Sequence, residues 1–147
     1  VIDELRGAVV SVLSMMGVPA SASAFAERKD PLHRLSGDMA VLVGIVGTKK
    51  GILSYEFDAD GILSVLRVMA PGMELDPESE VAESALAELS NMVSGNFLTA
   101  LGSQGLDITP PTLVRGRGLL GVANTAPAVR VLFPLPGGNL SVSLSLV

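Results

Sequence analysis

The chain has no cysteine and no tryptophan, a single histidine, and aromatic residues at only 3% of its 147 positions. Without cysteine there are no disulfides, no thiolate metal sites and no cysteine nucleophile. His33 alone cannot build a zinc site or anchor a catalytic triad. Scarce aromatics mean an aliphatic core. Charge is sparse too, at 17%, and the net charge of −5 argues against nucleic acid, whose phosphates need a basic patch. Long apolar runs are missing: MAVLVGIVG (39–47) is far too short to span a bilayer. GAVVSVLSMMG followed by ASASA resembles a signal peptide, but the preceding VIDELR is net acidic where a signal starts positive. A soluble cytoplasmic protein is expected. The sequence opens on Val1 and not on methionine, so a native N-terminal extension is allowed for.

What is present is apolar. Hydrophobic residues make up 48%, which excludes a disordered chain, and the length suits one domain covering 1–147. Residues 2–16 read as an amphipathic helix closed by Gly17 and Pro19. ASASAFAER reads as a weak strand and ERKDPLHRLSGD as a polar loop. MAVLVGIVG and GILSYEFD flank a short TKK and suit an antiparallel hairpin. DADGILSVLRVMAPG (58–72) reads as a short helix apolar at Ile62, Val65, Leu66 and Met69, with Asp58 and Asp60 as capping residues rather than calcium ligands. A longer helix is expected from Asp76 as N-cap, with Pro77 in its first position, to about Leu101, ending at Gly102. The remainder has strand character broken by glycine and proline, and RGRG (115–118) reads as a turn.

Placed on a wheel at about 100° per residue, the long helix separates cleanly. Ala82, Leu86, Leu89, Val93, Phe97 and Ala100 form a core stripe. Ser84, Glu88, Asn91 and Gly95 lie opposite, so Glu88 and Asn91 stand one turn apart at the crest of the exposed face, where they can reach the same object. Small neighbours (Ser84, Ala87, Ser94 and Gly95) lower the surface around them. Gly95 costs the helix about 1 kcal/mol relative to alanine, which calls for a packing or docking reason. The plainer alternative is a solvated glutamate beside an indifferent asparagine. Between Glu83 and Arg115 the only other charges are Glu88 and Asp107, which weighs against that alternative. Periodicity leads to a docking ledge with two functional side chains and does not name a reaction.

Ser84-Ala-Leu-Ala-Glu88-Leu-Ser-Asn91, with Pro110-Pro111 downstream in DITPPTLVRG, resembles the motif of the CheX/CheC chemotaxis phosphatases, CheX most closely. LSNMVSGN, VLVGIVG, GILSYEF and VMAPGM extend the resemblance over most of the chain from Met39 to Gly116, with a slightly shorter spacing from Asn91 to Pro111 than the family pattern. The resemblance implies an α+β, CheC-like fold of three helices on a six-stranded, mainly antiparallel sheet. It implies hydrolysis of the aspartyl phosphate of a CheY-like response-regulator receiver, with Asn91 positioning the attacking water and Glu88 meeting the receiver's lysine. Ser84, Gly95 and Pro111 would be partner-binding positions. No cofactor would be bound by this chain, and the Mg²⁺ would belong to the phosphorylated receiver. The N-terminal helix has Glu4 but Gly7 where an asparagine would stand, so one site per chain is expected.

A homodimer joining sheets is implied as well. NLSVSLSLV, with Leu140, Val142, Leu144 and Leu146 on one face and no charge, suits either a dimer edge or an interior strand. Two other readings stand beside the enzyme: a non-catalytic module that binds a receiver, as in the flagellar switch, and a structural dimerisation domain. The Glu–Asn pair favours the enzyme, because a docking module has no need of that carboxamide.

Overall fold

The computed structural model describes residues 1–20, 24–28, 32–34, 37–102, 105–116, 120–122 and 128–146. Three helices lie on one antiparallel sheet: α1 (Ile2–Met16), α2 (Ala59–Met69) and α3 (Glu80–Leu101). The strands are β1 (Ala24–Arg28), β2 (Leu32–Arg34), β3 (Met39–Gly47), β4 (Gly51–Phe57), β5 (Leu106–Ile108), β6 (Thr112–Arg115), β7 (Leu120–Val122), β8 (Ala128–Leu135) and β9 (Gly138–Leu146). The main sheet runs β1-β8-β9-β4-β3, and its sixth position is filled by β5 and β6 placed end to end along β3. All the described pairings are antiparallel. The expected α+β architecture of three helices on a six-position antiparallel sheet is therefore present.

The split in the sixth position has a local cause. Pro110 and Pro111 have no N–H to give to the ladder, so pairing with β3 stops there. Thr109 bridges the gap: its N–H donates to Gly44 O at 2.9 Å, and its hydroxyl accepts from Gly44 N at 2.8 Å. A side chain at Gly44 would meet the Thr109 side chain at 3.0 Å, which explains glycine in the middle of a strand.

One apolar core lies between the sheet and the helices. Leu5, Val9, Val12 and Leu13 enter it from α1, Ile62, Val65 and Leu66 from α2, and Val41, Leu53, Phe57, Phe133 and Val142 from the strands. The hairpin β3–β4 and the bounds of α1 match the sequence expectation, and Gly17 closes α1 in the left-handed region (φ 89°). Asp58 caps α2 as expected, accepting from Gly61 N at 2.7 Å. It also accepts from Asn139 N (3.0 Å) and Nδ2 (3.1 Å), tying the start of α2 to the start of β9.

Of the two settings open to the tail strand the interior one is found, and two other expectations need correction. The tail strand β9 is interior, with β8 on one side and β4 on the other, so it is not a free edge. Its Leu140, Val142 and Leu144 belong to the apolar core, and Leu146 packs against it. The presumed loop 27–38 contains β2, which pairs with β7 in a separate two-stranded sheet; a pairing so distant in sequence leaves no local trace. In RGRG, Arg115 ends β6, while residues 117–118 lie outside the described ones.

Candidate functional site

The long helix starts later than its Asp-Pro signal suggests. Asp76 does not cap it. Its side chain accepts from Glu78 N (2.9 Å) and its carbonyl from Ser79 N and Oγ (3.2 and 2.7 Å), closing a turn around Pro77. Ser79 then caps α3, its hydroxyl accepting from Ala82 N at 3.1 Å. At the other end Gly102 takes the left-handed conformation (φ 62°) expected of a helix stop.

Ser84, Glu88 and Asn91 are exposed on α3 and Gly95 is half-buried, all on one face. The buried set opposite is Ala82, Ala85, Leu86, Leu89, Ser90, Val93, Ser94 and Phe97. Two assignments change. Ala100 is exposed, because the last turn of α3 runs past the core. Ser94 is not part of the ledge: it is fully buried, and its Oγ lies 2.7 Å from the Tyr55 hydroxyl on β4. Burial pushes the Tyr55 phenol well above its usual range, against a smaller opposing effect of the Ser94 hydrogen bond, so it stays protonated.

The crest side chains are uncommitted. Among the described residues, Ser84, Glu88 and Asn91 make no side-chain hydrogen bond or ion pair. The contrast with Asn96 is informative: that asparagine, also exposed, spends its Nδ2 on Met92 O of its own helix at 3.1 Å. Asn91 keeps both its acceptor and its donors available. Glu88 and Asn91 stand with Cβ atoms about 5–6 Å apart, as i and i+3 on a helix. A Cβ built on Gly95 meets nothing within 4 Å, so no internal contact demands glycine there.

Glu83, one residue before the ledge, is held instead. Arg115 Nε lies 2.9 Å from its Oε1, while the same guanidinium donates to Pro77 O (3.2 Å) and Ser79 O (3.3 Å). Arg115 thus clamps the start of α3 to β6. Neither this clamp nor the Tyr55–Ser94 tie leaves a local trace in the sequence, since in each the partners are far apart in the chain. Pro111 is half-buried in the break between β5 and β6, strands that both touch α3. It lies on the neighbouring sheet edge and not on the helix. On α1, Gly7 is exposed without a side chain, and Glu4 pairs with the N-terminal amine at 2.7 Å.

Surface clefts of about 440 and 260 Å³ are found elsewhere, and neither is lined by Glu88 or Asn91. Among the described residues no group of three or more His, Cys, Asp or Glu is placed to hold a metal, and no helix is long and apolar enough to cross a membrane. A carboxylate and a carboxamide free on the exposed crest of a helix, outside the lining of both clefts, define a helix-presenting surface.

Comparison with known proteins identifies the family of the chain. The family model for chemotaxis phosphatase CheX matches residues 39–134, and the chain belongs to this family. A curated relative, the CheY-P phosphatase CheX of Thermotoga maritima, is 41% identical over 83 residues, which cover 55% of this chain and 54% of the relative. The match thus spans about half the length of that relative. Among solved structures, chemotaxis protein CheX from Desulfovibrio desulfuricans has a TM-score of 0.85 at 24% identity, covering 99% of this chain and 97% of its own. The CheX in a CheX–CheY–BeF3–Mg²⁺ complex from Borrelia burgdorferi has a TM-score of 0.72 at 24% identity, covering 99% and 96%.

Proposed function

We propose that this chain is a phosphoaspartyl-protein phosphatase, a single domain over residues 1–147 that presents α3 to the phosphorylated site of a CheY-like receiver. The observation that carries the reading is the pair of uncommitted side chains, Glu88 and Asn91, on the crest of α3 in a chain of the CheX family. Two relatives add support: the curated one is named a CheY-P phosphatase, and the Borrelia structure holds CheX together with CheY.

Hydrolysis of an aspartyl phosphate needs a water in line with the breaking phosphorus–oxygen bond. The rest is positioning and electrostatics. The Asn91 carboxamide oxygen accepts from that water and its NH₂ donates to a phosphoryl oxygen, with no charge to repel the phosphate. Water adds to phosphorus, the acyl phosphate bond breaks, and the receiver aspartate leaves as carboxylate with inorganic phosphate as the other product. A carboxylate beside the phosphate would be repelled, so Glu88 reaches the receiver lysine and orients the helix. Ser84 and Gly95 keep the ledge low, and Pro111 borders it from the sheet edge. The Mg²⁺ belongs to the receiver, and this chain binds no cofactor of its own.

The same reading places the protein in the cytoplasm as a homodimer. With β9 interior, sheets would join through β1 or through the β5–β6 edge.

The test is the decay of several phosphorylated receivers, with Mg²⁺, with and without catalytic amounts of the protein. Faster decay of at least one receiver is expected. If one binds and none decays faster, the chain is a receiver-binding module and the catalytic roles are wrong.

A further inference from the structure

Most of what seats α3 on the sheet has no direction. Leu86, Leu89, Val93 and Phe97 make apolar contacts, and Ala82 and Ala85 add only small ones. Burial of apolar area alone changes little over a roll of a few degrees about the long axis, so directional contacts add to close packing in setting the helix. Roll matters for a crest residue, however. With side chains a helix has a radius of about 5–6 Å, so a roll of about 10° moves a side-chain tip by about 1 Å. A 1 Å misplacement can cost on the order of 100-fold in rate.

Two directional links oppose roll among the described residues. One is the Glu83–Arg115 clamp, whose side chains are 42% and 33% exposed, so water and salt weaken it. The other is the Tyr55–Ser94 hydrogen bond of 2.7 Å, in which both residues are fully buried. Glu83 and Ser94 stand about three turns apart on the same flank of the helix. Ser90 lies on that flank and is equally buried, but its hydroxyl donates to Leu86 O of its own helix and cannot anchor it to the sheet.

We propose that Tyr55 and Ser94 are positioning residues for the phosphatase reaction: their buried hydrogen bond sets the roll of α3 and thereby the placement of the Asn91 carboxamide. This rests on the phosphatase reading above. Neither residue reaches the receiver. Asn91, with two side-chain torsions, cannot compensate for a rolled helix, whereas the longer Glu88 can. The loss therefore falls on kcat more than on KM.

The test uses Tyr55→Phe, Ser94→Ala and the double variant. Ser94→Ala strands a buried phenol and melts early, while the double variant removes both partners and recovers much of the melting temperature. In the double variant kcat stays about tenfold below wild type, with KM within about threefold, although stability has returned. If kcat recovers with stability, or never falls, the bond is merely structural and the proposal is overturned. Residual dipolar couplings of the α3 amides give a second readout that needs no receiver. They change along the helix in Tyr55→Phe if its roll changes, and unchanged couplings overturn the proposal. Inactivity of the wild type toward every receiver would refute the phosphatase reading instead, and the couplings would still decide the role of Tyr55 and Ser94.

Discussion

Gly95→Ala should separate what the fold wants from what the partner wants. Gly95 lies inside α3 without a positive φ, and a Cβ there meets nothing within 4 Å. Alanine in a helix interior is worth about 1 kcal/mol over glycine, largely by restricting the unfolded chain. In a domain of this size that raises the melting temperature by about 2–4 °C. The hydrogen bond from Thr99 Oγ1 to Gly95 O (3.0 Å) uses the backbone and survives the change. Against the receiver the same methyl is an obstruction. Overpacking a close interface by a methyl costs about 1–3 kcal/mol, so KM for the phosphorylated receiver should rise on the order of tenfold. Thermal melts and a KM titration on one preparation give both numbers. A lower melting temperature would contradict the helical setting of Gly95. A higher one with KM unchanged within about twofold would refute the low-ledge argument, leaving Gly95 without a docking role.

Three further outcomes follow. Glu88→Gln should raise KM several-fold with kcat little changed and flatten the dependence of KM on ionic strength, because a charge pair with a receiver lysine is screened by salt; a wild-type KM indifferent to salt contradicts that pairing. Tyr55 is the only tyrosine, and its folded pKa is raised above the ordinary 10.0 mainly by burial. Its contribution to stability is present below about pH 10 and is lost above it, where the unfolded phenol ionises and the folded one does not, by up to about 1.4 kcal/mol per pH unit. Tyr55→Phe should lack that component, and phenolate absorbance appearing near pH 10 in the folded protein would refute the assignment. Asp58→Ala removes a helix cap and two bonds to Asn139, so urea unfolding should report a loss of about 2 kcal/mol; a loss under about 0.5 kcal/mol would contradict the cap.

How much of this was legible in the sequence depended on the range of the interaction. The span of α1, the end of α3 at Gly102 and the β3–β4 hairpin are written in local periodicity and stop residues, and each was readable. The exposed set Ser84, Glu88 and Asn91 was readable for the same reason, since a 3.6-residue period sorts faces without knowing what lies beneath. The start of α3 was misplaced because Asp76 and Ser79 are both good caps, and the turn around Pro77 decides between them. Ser94 looked like a surface serine because its partner, Tyr55, lies on a distant strand. Arg115 in RGRG looked like turn material because its partners lie at the start of α3. The position of β9 could not be chosen from its alternation, which serves an edge and an interior strand alike.

The proposed hydrolysis depends on the Asn91 carboxamide. The most direct test compares wild type and Asn91→Ala in accelerating decay of a phosphorylated receiver with Mg²⁺ present, with receiver binding measured alongside. Removing one well-placed polar group that acts in the transition state typically costs about 100- to 1000-fold in rate, so the acceleration should fall by that factor while affinity stays within about threefold. An Asn91→Ala protein that binds the receiver and still accelerates decay to within about tenfold of wild type would contradict the account.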